Sequence, residues 1–388
     1  MESKNIQLFV PKFRKEEIFE HMSECLDKGW TGLGFKTVEI EEAWKKYTGL
    51  KNAHFLNSNT SGLHLALKIL KDVNKWRNGD EIITTPLTFV STNHAILYEN
   101  LKPVFADVDE YLCLDPVSIL KNITKKTRAV VFVGIGGNCG QLAEVAQICE
   151  KYGLKLILDA AHMSGTRMAY GGDVWSVEEH VSSLADVCVF SFQAVKNLPT
   201  SDSGMICFRN KDYDALARKL SWLGIDKDTY QRSNSKGAYK WEYDLVDAGF
   251  KYHGNSIAAS MALVGLKYLE EDNARRREIC DYYERRFEKV GIPSIKMHRH
   301  CKVPSRHLYQ IVVPKRDELM SYLNTQGIYP GVHYRSNTNY KMYEYGAKNC
   351  PIANKYSDSI ITLPLHLSLT SSDLEYVADK VIEGYNLL

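Results

Sequence analysis

From about residue 53 to 210, short apolar runs alternate with segments whose apolar residues recur at helical spacing. That alternation restricts the region to βαβ units around a mostly parallel sheet. AVVFVGI (129–135) and LKLILD (154–159) are nearly uninterrupted apolar runs, as strands covered on both faces must be. Between them Leu142, Val145, Ile148, Cys149 and Tyr152 keep a helical period, which predicts strand, helix, strand. VCVFSF (187–192) and GMICF (204–208) read as two further strands, joined by the polar loop QAVKNLPTSDS. Beyond about residue 250 the pattern changes to longer helices and isolated strands such as LYQIVV (308–313), a second, smaller α+β domain. A last helix is predicted from Ser371 or Ser372, with Glu375 in a capping box and Leu374, Val377 and Val381 on its buried face.

The 388 residues suit two domains sharing a cleft, and 44% hydrophobic against 25% charged residues is the balance of a soluble protein with a substantial core. Forty-nine lysines and arginines against 47 acids leave a net charge of +2. No basic surplus exists to hold a polyanion, so nucleic acid is not an expected partner. The opening MESKNIQLFVPKFRKEE has no apolar segment of signal-peptide length and no later run approaches a membrane span, so no membrane association and a cytoplasmic location are expected. Nine scattered cysteines, an odd count without CxxC, fit a reducing compartment. His298, His300 and Cys301 form the one suggestive metal grouping, but a second ligand pair at zinc spacing is missing and no metal is expected.

In open α/β sheets, ligands bind beyond the carboxyl ends of the strands. Asp159 ends LKLILD and precedes the small Ala160 and Ala161, so it reads either as a carboxylate on the floor of a cleft or as a helix N-cap. Lys196 follows VCVFSF on the same rim; it is either a surface lysine or an amine desolvated enough to condense with an aldehyde. In NSNTSGLHLALKIL (57–70), Asn59, Thr60, Ser61 and Gly62 precede an amphipathic helix, a pattern of an anion site or of simple capping. Phe89 in TPLTFVST either covers a flat ring or belongs to the core. Pyridoxal phosphate uses all four features: a lysine for its aldehyde, a carboxylate for its pyridine nitrogen, a helix start for its phosphate and an aromatic face for its ring. The run GIGGNCG (134–140) does not make a dinucleotide fingerprint, because Cys139 occupies the third glycine position; it reads as a tight turn.

At these residues the chain resembles the DegT/StrS family of sugar aminotransferases. The resemblance runs through GWTGLGFKTVEIEEAWKKYTG, SNTSGLHLAL, GDEIITTPLTFVST, LKPVFADVD, LILDAAHMSG, FSFQAVKNLPTSDSGMICF, GFKYHGNSIAA, HYRSN and ITLPLHLSLT. It implies the aspartate aminotransferase fold (PLP-transferase fold type I): an α/β domain with a mostly parallel, seven-stranded mixed sheet flanked by helices over residues 36–248, and a small α+β domain from 1–35 and 249–388. By the same resemblance Lys196 matches the lysine that carries the cofactor, Asp159 the partner of the pyridine nitrogen, and His162 the contact to the ring hydroxyl, a position often held by glutamine. Thr60, Ser61 and Ser191 match phosphate binders, and Phe89 the stacking ring. Lys251 stands where many members place an asparagine that reaches the phosphate of the neighbouring subunit, and Ser201 and Ser203 occupy positions usually held by glycine. Lys227, His333, Tyr334 and Arg335 match positions near the sugar substrate.

The implied activity is transfer of an amino group from L-glutamate to a keto or aldehydo group of a nucleotide-linked sugar. The implied cofactor is pyridoxal 5'-phosphate, passing through its pyridoxamine form, in a homodimer with shared active sites. Relatives with histidine in place of the lysine are sugar dehydratases. Dehydration, transfer to a free sugar or cyclitol, and a non-catalytic binding protein on the same scaffold are the competing expectations.

Overall fold

A computed structural model describes residues 4–169, 180–226 and 242–388. Its centre is a seven-stranded sheet of β1 (His54–Leu56), β2 (Glu81–Thr84), β3 (Lys102–Phe105), β4 (Thr127–Val133), β5 (Lys155–Asp159), β7 (Val187–Ser191) and β8 (Gly204–Phe208). The strand order is β1-β8-β7-β5-β4-β2-β3. From β7 through β5, β4 and β2 to β3 every pairing is parallel. β8 alone is antiparallel to its neighbours, β1 and β7. The mostly parallel sheet expected from the apolar runs, and the seven-stranded mixed sheet that the resemblance implies, are thus observed. β6 (Arg167–Met168) pairs outside it, with Cys301–Val303.

Strand residues alternate between two cores, which is why the runs are apolar throughout. Phe132, Leu158 and Phe190 face a core containing Trp44 of α2 (Phe35–Thr48) and Leu142 of the helix Leu142–Tyr152. Val131, Ile157 and Val189 face α3 (Asn59–Val73), which contributes Leu63, Leu67 and Leu70. Close approach of α3 to β7 requires Gly62, where an added Cβ would lie 2.5 Å from Val189 Cγ1. Overpacking there should cost about 1–3 kcal/mol, more than the ~1 kcal/mol alanine gains over glycine in a helix. Gly62→Ala should therefore lower the midpoint of thermal unfolding; an unchanged or raised midpoint contradicts this packing.

The helix Ser256–Glu288 starts against α2 and α1 (Lys15–Asp27). Its far end, with Tyr283 and Phe287, enters a further core with Tyr309, Ile311, Leu323 and Val377. There Tyr309–Val312, within the predicted LYQIVV, pairs antiparallel with Ile360–Leu363. The last helix spans Ser371–Asn386, but its cap differs from the expected one. Thr370 is the N-cap and exchanges hydrogen bonds with Asp373, because the chain is still extended at Thr370; Glu375 takes no part. The glycine run forms the expected tight turn, with Gly136 at φ 64°. Among the described residues no helix is long and apolar enough to cross a membrane, and no three His, Cys, Asp or Glu side chains are placed to hold a metal ion.

Candidate active site

β5 and β7 are parallel neighbours, so Asp159 and Ser191 emerge at the same carboxyl rim, where the start of α3 also lies. Together they open a cleft of about 450 Å³. Of the expected residues, Thr60, Phe89, Asp159, His162, Ser191, Lys196, His333 and Tyr334 line it.

Asp159 is 3% exposed. Thr92 donates to its Oδ2 at 2.8 Å, and Asn59 Nδ2 and the Ala161 N–H donate to Oδ1, each at 3.2 Å. Burial holds its carboxyl above the ordinary range, opposed by those donors and by Lys196. A buried carboxylate in that state is stabilised by any cation brought against it.

Lys196 Nζ has no hydrogen-bond partner among the described residues, and burial pushes its pKa down to about 8, opposed by Asp159. At pH 7 such an amine is about one-tenth neutral, against about one part in 3,000 for an ordinary lysine. The neutral form is the nucleophile.

The two histidines of the wall are held neutral. His162 accepts the Gly136 N–H on Nδ1 at 3.2 Å, and its Nε2 lies 3.2 Å from the Tyr334 hydroxyl. Burial, with Lys196 and His333 nearby, depresses its pKa well below the usual value. His333 is pushed down to about 4 by burial and Lys196, and its Nδ1 is bonded to Thr362 Oγ1 at 3.0 Å. Phe89, 59% exposed, stands at the mouth with its ring 6.3 Å from that of Tyr334. Lys196 is the one cation among the described residues of the cleft wall.

Three of the described expected residues, Ser61, Lys251 and Arg335, do not line this cleft. Ser61 is buried, its hydroxyl donating to Asn57 Oδ1 at 2.7 Å and its N–H to the side chain of the N-cap, Ser58. It shapes the helix start, while Ser58, Asn59 and Thr60 face the cleft. Lys251 is exposed, its Nζ 3.4 Å from the centre of the Trp222 ring, and Arg335 lies over Tyr340. Lys227 falls outside the described residues.

Thr92 and Asn59, both on Asp159, escaped the sequence reading as partners of that carboxylate, and so did Gln193 and Asp202 of the wall.

The donor set fits pyridoxal phosphate. A floor carboxylate that favours a cation, a partly neutral lysine, and the hydroxyls of Ser58 and Thr60 at a helix N-terminus, joined by Ser191 at the end of β7, match the ring nitrogen, aldehyde and phosphate.

Comparison with known proteins agrees with this chemistry. The spore coat polysaccharide biosynthesis protein SpsC of Bacillus subtilis (strain 168) is 32% identical, covering 96% of this chain and 95% of its own. The solved aminotransferase TlmJ of Streptoalloteichus hindustanus is 28% identical and superposes with a TM-score of 0.88 over 98% of this chain and 99% of its own. Spr1654 of Streptococcus pneumoniae, a putative sugar aminotransferase solved in its PLP form, is 26% identical with a TM-score of 0.87, covering 99% of both chains. Residues 12–382 match one family description over nearly the whole length, and the chain belongs to the DegT/DnrJ/EryC1/StrS aminotransferase family.

Proposed function

We propose that this aminotransferase moves the amino group of L-glutamate onto the keto or aldehydo group of a nucleotide-linked sugar, with pyridoxal 5'-phosphate as cofactor. The observation that carries the reading is the desolvated Lys196 facing the buried Asp159 across one cleft. The sugar class is supported by the similarity to SpsC and Spr1654.

When bound, the cofactor supplies an aldehyde that exchanges amines and a protonated ring that takes up the electrons left by a departing proton. Lys196 would anchor it through its amine and, with that amine released, would serve as the base that carries the proton between the amino acid's α-carbon and the former aldehyde carbon. Asp159 keeps the ring nitrogen protonated; Thr92, Asn59 and the Ala161 N–H aim its oxygens. Thr60 and Ser191, with Ser58, hold the phosphate, and Phe89 covers the ring. Ser61 supports this indirectly through the helix start.

A phosphate dianion in a cleft whose described wall offers no cation but Lys196 needs charge from elsewhere. Lys251, exposed and not part of its own cleft wall, supplies it across a homodimer. His333 and Arg335 serve the sugar or its phosphates, with Lys227 as a further contact, and the reaction is assigned to the cytoplasm.

The test is mass spectrometry of products from a panel of nucleotide keto-sugars with glutamate. The reading expects an amino sugar and oxoglutarate in equal amounts; loss of water without gain of nitrogen overturns it in favour of dehydration.

A further inference from the structure

The expected contact between His162 and the hydroxyl of the cofactor ring meets an obstacle: both nitrogens of this imidazole are already engaged. Because the Gly136 N–H donates to Nδ1, the single proton of the neutral ring sits on Nε2. That atom lies 3.2 Å from the Tyr334 oxygen, so Nε2–H donates to it. The phenol's own hydrogen must then point elsewhere, and no other partner for it stands among the described residues. Tyr334 lines the cleft together with Lys196 and Asp159. His162 lines the cleft too, but it is only 6% exposed and is fixed in place, its ring nearly parallel to that of Tyr334 at 6.1 Å and 4.3 Å from the His307 ring. His307 is in turn held by Asn197, at 2.8 Å from Nδ1.

We infer that Tyr334, rather than His162, donates the hydrogen bond to the hydroxyl oxygen of the bound pyridoxal ring, with His162 as the positioning residue that orients the phenol. The polarity runs one way: Gly136 N–H to His162, His162 to Tyr334, Tyr334 to the ligand. Accepting one bond strengthens the phenol as a donor. Burial and the nearby Asp159 raise its pKa, so it keeps its proton. The inference rests on the cofactor reading above and concerns only which side chain meets one oxygen.

The test is the pH dependence of visible absorbance of the protein loaded with pyridoxal phosphate. Raising the pH removes the proton shared between the lysine-linked nitrogen and the ring oxygen, which leaves the oxygen's charge bare. A donor to that oxygen favours the high-pH form and lowers the midpoint; Lys196, Asp159, His307 and His333 face the same region and remain in every variant. Tyr334→Phe should therefore raise the midpoint by about one unit, the size expected for a hydrogen bond to a charged group. His162→Gln, which can accept from Gly136 and donate to Tyr334, should stay within about 0.3 units of the parent. His162→Leu should shift it in the same direction as Tyr334→Phe and add little in the double variant. An unmoved midpoint in Tyr334→Phe beside a full shift in His162→Leu overturns the assignment and puts His162 on the oxygen. A parent protein that gains no visible band with pyridoxal phosphate overturns the underlying cofactor reading instead, a failure seen before any variant is made.

Discussion

Lys196→Ala should reduce turnover by about 10⁴-fold or more, because one side chain is both the covalent anchor and the proton carrier. The loss should be chemical rather than structural. Nζ makes no hydrogen bond among the described residues, and burial works against its charge, so removing it costs the fold little. Steady-state kinetics and a thermal melt on the same preparation separate the two effects. Near-normal turnover, or collapse of the melt, would contradict this role. A pH signature accompanies it: with a pKa of about 8, the rate at which the cofactor-free protein captures pyridoxal phosphate should rise about tenfold per unit below pH 8 and level off above.

Asp159→Asn should slow turnover by about 10²–10³-fold, the range seen when a preorganised electrostatic partner is removed from a developing charge. An amide cannot keep the ring nitrogen protonated, and the electron sink is lost from the transition state. Binding should suffer less than the proton-transfer step, since Thr60, Ser191 and Lys196 remain. The deuterium isotope effect from α-deuterated glutamate should grow in the variant. Unchanged turnover would remove Asp159 from the chemistry.

Much of the fold was legible because central strands covered on both faces are apolar throughout, and β4, β5, β7 and β8 fall within two residues of the runs that announced them. Lys196 and Asp159 were legible for a related reason: the rule that ligands sit beyond parallel strand ends turns two strand boundaries into a location. The helix start was read one turn out of phase. Ser58 is the cap and Ser61 is consumed by it, a choice decided by backbone angles that hydroxyl-rich sequence leaves open. Thr370 outcompeted the later cap at the last helix for the same reason. Asn59 and Thr92 converge on Asp159 from helices 100 and 67 residues away, contacts that no local pattern encodes. The engagement of His162 with Tyr334 across 172 residues is of the same kind.

The central claim is that the amine of Lys196 holds pyridoxal phosphate covalently. Borohydride reduction of the loaded protein, followed by proteolysis and peptide mass spectrometry, tests it in one step. The account predicts one reduced pyridoxyl group per chain, on the peptide containing Lys196. Labelling of another lysine, or none at saturating cofactor, would contradict it.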